Sequence, residues 1–142
     1  MGLATEIKKL LQRPQIIIGT ATGNWNTGTA TSGQPGADLF TIGVAGQWWD
    51  LQEAYLKLFP GVWNVAAVLT VRSYLTIMGV EDMIGEADWD ADGTDGNVAY
   101  IYWFWLYAEI YGPLRVEVYS DQLADDGVVA PYEYRVKNLY GG

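Results

Sequence analysis

Nine consecutive residues from Ala99 to Tyr107 are apolar or aromatic, and six of them carry rings. In an extended strand, successive side chains point to opposite faces. One face then holds Tyr100, Tyr102, Phe104 and Leu106, and the other Ile101, Trp103, Trp105 and Tyr107. Neither face suits water. A domain of 142 residues can cover one of them with a second sheet of its own. The other needs a second subunit, a folded-back arm or a ligand. The segment therefore calls for layered β-structure in a chain made to pack against something.

The rest of the sequence agrees with layered β-structure. From Asp38 onward, strand signals recur at the spacing of a β-sandwich or barrel, near 38–43, 47–58, 65–78, 82–89, 98–108, 114–120 and 128–138. Leu69, Val71, Ser73, Leu75 and Ile77 alternate with Thr70, Arg72, Tyr74 and Thr76. Leu114, Val116 and Val118 alternate with Arg115, Glu117 and Tyr119, the pattern of a half-buried strand. Turns are expected at Phe59-Pro60-Gly61, Gly112-Pro113 and Asp125-Asp126-Gly127. Trp48 to Phe59 fits either a strand or a helix. Ile16-Ile17-Ile18 has the composition of a buried strand. The repeated Thr/Ala runs after it suit two short strands around Asn24-Trp25-Asn26, or else a flexible connection.

One segment is patterned differently. Leu3, Ile7, Leu10 and Leu11 fall at helical spacing, and Pro14 ends the pattern. A helix this short is marginal without a partner surface. The expected organisation is a helical arm over 1–14 and a β-sandwich over 15–142.

Composition removes most catalytic chemistries. The chain has no cysteine and no histidine, which excludes thiol catalysis, zinc-thiolate sites and serine–histidine triads as usually built. Paired carboxylates acting on a glycosidic bond survive as an option. Glu109, Glu117, Asp121 and Glu133 are the available acids, but their spacing selects no pair, and they suit outward strand positions. No enzymatic activity is expected. Seventeen acidic against eight basic residues give a net charge of −9, which opposes binding to nucleic acid. No apolar run reaches the ~20 residues of a membrane helix, and no secretory signal stands at Met1 to Arg13. Seven acids and no base lie between Glu81 and Asp95, whereas Lys8, Lys9 and Arg13 face only Glu6. The two regions could attract each other between neighbouring subunits.

Two kinds of site are legible. Asp88, Asp90 and Asp92 alternate ahead of Gly93, as in the opening of a calcium loop, with Asp95 as a further oxygen donor. The glutamate that such a loop carries at its twelfth position is Ala99 here, and a polar hairpin tip accounts for the same composition. The chain is thus expected to need no cofactor, with Ca2+ as the one candidate. For contacts between subunits, the candidates are Leu3, Ile7, Leu10 and Leu11 on the arm, and Trp103, Trp105 and Tyr107 on the aromatic strand. Trp25 and Trp63, near glycine or proline turns, are the tryptophans expected to be exposed and available to stack on a sugar.

The run from Gly19 to Gly33, leading into Gly36 to Gly43, and the run from Leu114 to Gly127, followed by Tyr132-Glu133-Tyr134, resemble small β-rich proteins encoded among the structural genes of tailed phages and prophages. The resemblance spans about two thirds of the chain and rests on turn and strand pieces, so no functional residue carries over. It implies a virion part, such as a capsid decoration protein or a tail component, made in the host cytoplasm. Such a protein acts by self-association, most simply as a trimer, and by contact with the major capsid protein. The expected fold is an all-β, jelly-roll-like antiparallel sandwich with a short N-terminal helix or arm. A carbohydrate- or receptor-binding module is the alternative.

Overall fold

A computed structural model describes residues 2–4, 6–7, 13–57, 62–91, 100–102 and 108–139. Its strands are β1 (Gln15–Thr22), β2 (Ala37–Ile42), β3 (Trp48–Lys57), β4 (Val68–Ile77), β5 (Val80–Asp90), β6 (Tyr100–Tyr102), β7 (Ala108–Tyr111), β8 (Leu114–Ser120) and β9 (Val129–Asn138). A 3-10 turn over Leu123–Asp125 precedes β9.

All the pairings are antiparallel, and they nest. β1 pairs with β9, β2 with β8, β4 with β5, and β3 with β7 along its first half and β6 along its second. That nesting is one long hairpin. Rolling it up adds the β3–β9 and β4–β8 ladders, and two packed sheets result, β1-β9-β3-β6/β7 and β2-β8-β4-β5. With β6 and β7 sharing one position beside β3, this is the eight-position jelly roll. The expected all-β sandwich is therefore what the chain forms.

Between the sheets, alternate residues of each strand meet. Phe40 and Ile42 of β2, Leu51, Ala54 and Leu56 of β3, Leu69 and Val71 of β4, and Leu114, Val116 and Val118 of β8 are buried there with Ala130 and Val136 of β9. Each fully buried aliphatic side chain contributes about 1.5–3 kcal/mol of transfer free energy. The Phe40 ring stacks on Tyr134 at 5.1 Å between centroids, which ties β2 of one sheet to β9 of the other.

Several sequence expectations are sharpened or overturned. Trp48 to Lys57 is a strand, paired on both sides. Trp48 faces outward while Trp49 packs against the core. β1 is real, but Ile16-Ile17-Ile18 is not a buried run. Among the described residues β1 has β9 as its one neighbour in the sheet, and Ile17 turns inward while Ile16 and Ile18 stand 56% and 74% exposed. The Thr/Ala runs do not pair with each other: the first belongs to β1, and the second makes one bridge, Thr29 to Pro35.

Of the aromatic segment, the two ends are described. Tyr100–Tyr102 and Ala108–Tyr111 both pair with β3, in registers that differ by two residues. Trp103, Trp105 and Tyr107 lie outside the described residues, as do Leu10, Leu11, Asp92, Asp95 and the Phe59-Pro60-Gly61 turn. In the arm, Leu3, Ala4, Glu6 and Ile7 have helical backbone, and Leu3 and Ile7 are exposed. Gly112-Pro113 and Asp126-Gly127 form turns as expected, the former with a cis peptide bond.

Candidate functional site

The outer face of the β2-β8-β4-β5 sheet departs most from its sequence pattern. Registers align Asp38, Glu117, Arg72 and Glu86 in one row across all four strands, and Arg115 beside Tyr74 in the next. Glu117 is fully buried and Arg115 nearly so. This corrects the reading of β8 as half-buried and of Glu117 as an outward surface acid. The burial comes from the segment after Trp25, which crosses this face. Gly36 fits there because a Cβ would collide with the Val118 carbonyl, and because its φ of +119° suits glycine.

Glu117 is the hub. Ser32 Oγ donates to its two carboxylate oxygens at 2.9 and 2.8 Å, the Tyr74 hydroxyl donates at 2.7 Å, and Arg115 Nη1 donates at 2.9 Å. Arg115 also reaches Asp38 at 2.6 Å and Glu81 at 2.5 Å, and lies over the Tyr74 ring. Arg72 donates to Glu86 at 2.8 Å and to the Pro35 carbonyl at 3.1 Å.

Burial alone would ease the proton off Arg115. The hydrogen bonds to Glu81 and Glu117 and the charge of Asp38 outweigh that, and hold it above the usual arginine value. Burial raises the Tyr74 hydroxyl, opposed by the Ser32 hydrogen bond and aided by Glu117. A carboxylate receiving three charged or hydroxyl donors is committed to holding them. The arrangement clamps the Thr31–Gly36 loop to the sheet.

A second clamp closes one end of the sandwich. Asp126 Oδ1 accepts from the Asn26 backbone N–H at 2.7 Å, and Thr27 Oγ1 donates to Oδ2 at 2.5 Å. Asn26 Nδ2 donates to the Ser120 carbonyl, and Ser120 Oγ to buried Asp125 at 2.6 Å. The Thr27 and Asn26 donors hold the Asp126 carboxyl below the usual carboxylate range. The turn after Asn24 and the Asp125-Asp126-Gly127 turn, far apart in sequence, are thus one structural unit. Trp25 sits under it with no exposed surface, its indole N–H donating to the Val128 carbonyl at 2.8 Å. Trp63 meets it edge-on at 5.4 Å. Both rings were expected outside. A ring in a turn is wide enough to cap the core end, so the neighbouring glycines were a poor guide to exposure.

Among the described residues, the remaining predicted ones do not gather. Asp88 and Asp90 lie within β5, and Thr70 Oγ1 donates to Asp88 at 2.8 Å. Carboxylates at alternate strand positions are separated by roughly 6–7 Å of backbone, and among the described residues no three candidate ligands converge on one point. Asp121 accepts from the Val68 N–H, and Glu133 from Arg135.

What the structure adds is at the sheet edges. The uncharged β1 edges one sheet. At the opposite flank, β5 edges the other and is exposed over Val80–Asp88 on both faces. Its hairpin turn places Met78 and Gly79 at positive φ, 52° and 79°. Met78, Val80, Met83 and Ile84 are all exposed there. A strand near 82–89 was legible, but not its edge position, because strand order depends on pairings distant in sequence. Trp48 and Tyr111, opposite each other in the β3–β7 ladder, form a further part-exposed aromatic pair at 5.0 Å.

Among the described residues no helix is long and apolar enough to cross a membrane. No protein-family model matches the chain, and no curated protein or solved structure is significantly similar to it.

Proposed function

We propose that the protein is a non-enzymatic structural component of a phage-like particle, made in the host cytoplasm and assembled into the virion. There it decorates and stabilises the capsid through oligomeric contacts, as a trimer in contact with the major capsid protein. One observation carries this reading: apolar side chains stand exposed along two strand edges at opposite flanks of the sandwich, Ile16 and Ile18 on β1, and Val80, Met83 and Ile84 on β5. An apolar edge without charge, such as β1, is a surface that proteins cover with a partner; β5 presents its apolar side chains among five acids. The hydrogen bonds that occupy the Glu117 carboxylate from within the subunit also favour a structural role over a catalytic one.

The test is a quantitative mass-spectrometric census of particles purified from the producing host. A lattice protein is present in copy numbers comparable to the major capsid protein. Absence from the particle, or a handful of copies, overturns the decoration reading.

The Trp48–Tyr111 pair supports the second reading, a carbohydrate- or receptor-binding module at the tail. That reading expects a handful of copies and quenching of tryptophan fluorescence by a saturable glycan, lost in Trp48→Ala.

A further inference from the structure

Building on the oligomeric reading above, we infer that the free edge of β1 in one subunit pairs antiparallel with the free edge of β5 in the next, so that one sheet of each subunit continues into the opposite sheet of its neighbour. Edge strands are ordinarily protected by charges, proline, bulges or a covering segment. Gln15–Thr22 carries no charge, no proline and no irregularity in its ladder with β9. No described residue pairs with its other side. Its outward isoleucines, Ile16 and Ile18, are the kind of surface that needs a specific partner.

The choice of partner follows from charge. β5 carries Glu81, Asp82, Glu86, Asp88 and Asp90 and no base, so two copies of β5 side by side would set carboxylates against carboxylates. An uncharged strand meets no such repulsion. Antiparallel pairing also brings Arg13, exposed just before β1, to the Asp88–Asp90 end of β5. Lys8 and Lys9 precede it in the sequence. Eight residues of β1 fit within eleven of β5. Met83 and Ile84 lie side by side where the β5 ladder skips a residue, and both are exposed like the rest of Val80–Asp88, an apolar contact for Ile16 and Ile18.

Geometry then sets the symmetry class. β1 and β5 lie on opposite flanks and in different sheets, so the contact joins two different patches. Such a head-to-tail contact closes into a ring when the rotation allows, and a two-fold dimer does not use it.

The chain has no cysteine, so the pairing can be tested by site-directed crosslinking of the full-length protein. Ile18→Cys and Ile84→Cys variants are purified separately, mixed, and treated with a short bifunctional thiol reagent that tolerates a small offset in register. The expected result is a covalent dimer containing one of each variant, and little dimer from either variant alone. Ile18→Lys should raise the dissociation constant of the oligomer about tenfold or more while leaving the melting temperature of the subunit unchanged, since Ile18 is exposed within the subunit. An oligomer that gives no mixed crosslink, or that crosslinks mainly between two copies of Ile18→Cys, overturns the β1–β5 pairing and leaves the oligomeric reading standing. A monomer at micromolar concentration overturns both.

Discussion

Replacing Glu117 by alanine should be among the most destabilising single changes outside the apolar core. Its carboxylate is fully buried and receives Ser32, Tyr74 and Arg115 at 2.7–2.9 Å. Breaking a buried ion pair by removing one partner costs about 3–5 kcal/mol. Arg115 keeps Asp38 and Glu81, and Arg72 keeps Glu86 and the Pro35 carbonyl, so the lower end, about 3 kcal/mol, is expected. For a domain of this length each kcal/mol moves the melting temperature by about 3 °C, so the loss is roughly 10 °C. Glu117→Gln preserves shape and some hydrogen bonding, and should cost about half as much. The assay is urea and thermal unfolding followed by tryptophan fluorescence, with limited proteolysis of the Thr31–Gly36 loop as a local readout. If Glu117→Ala costs less than about 1 kcal/mol, or the loop stays protected, the cluster does not clamp it.

Three further outcomes follow from the same structure. Trp25→Ala empties a fully buried site and removes the hydrogen bond to Val128, which should cost about 3–5 kcal/mol in chemical denaturation. The Tyr74 hydroxyl is raised above its ordinary value, so the unfolded chain loses that proton first as pH rises past about 10. The stabilisation from keeping Tyr74 protonated is therefore full below pH 10 and is lost as pH climbs through the folded value; Tyr74→Phe should flatten the alkaline limb of a stability–pH curve. Calcium, magnesium and simple salt should raise the melting temperature alike, through screening of the acids around β5, whereas a saturable shift unique to calcium and abolished by Asp90→Asn would establish a bound ion.

Much of the fold was legible because period-two alternation is a local signal. β8 and β9 were found from it nearly to the residue and β4 to within three residues, and the Gly112-Pro113 and Asp126-Gly127 turns from their chemistry. β3 was ambiguous because Trp48, Leu51, Tyr55 and Phe59 also satisfy a helical period. Its ladders with β7 and β9, set by residues far along the chain, decided the matter. The same non-locality hid the edges. Ile16-Ile17-Ile18 has the composition of an interior strand, and only the pairing with β9 alone makes it a border.

Glu117 was missed for a different reason. Alternation separates two faces of a strand but assumes that the charged face meets water. The segment covering it contributes Ser32 and Pro35, small residues without a periodic signature. A usable hint did exist, since Arg115 and Glu117 are opposite charges two residues apart on one face, with Arg72 matching them on β4. The Trp25 turn shows the converse error, in which glycines flanking a ring suggested exposure although the ring caps the core.

Self-association of the subunit is tested most directly by the solution mass of the purified full-length protein. Multi-angle light scattering at micromolar concentration should give a discrete mass near three times the 15.7 kDa subunit. A monodisperse, stable monomer under those conditions would contradict the account.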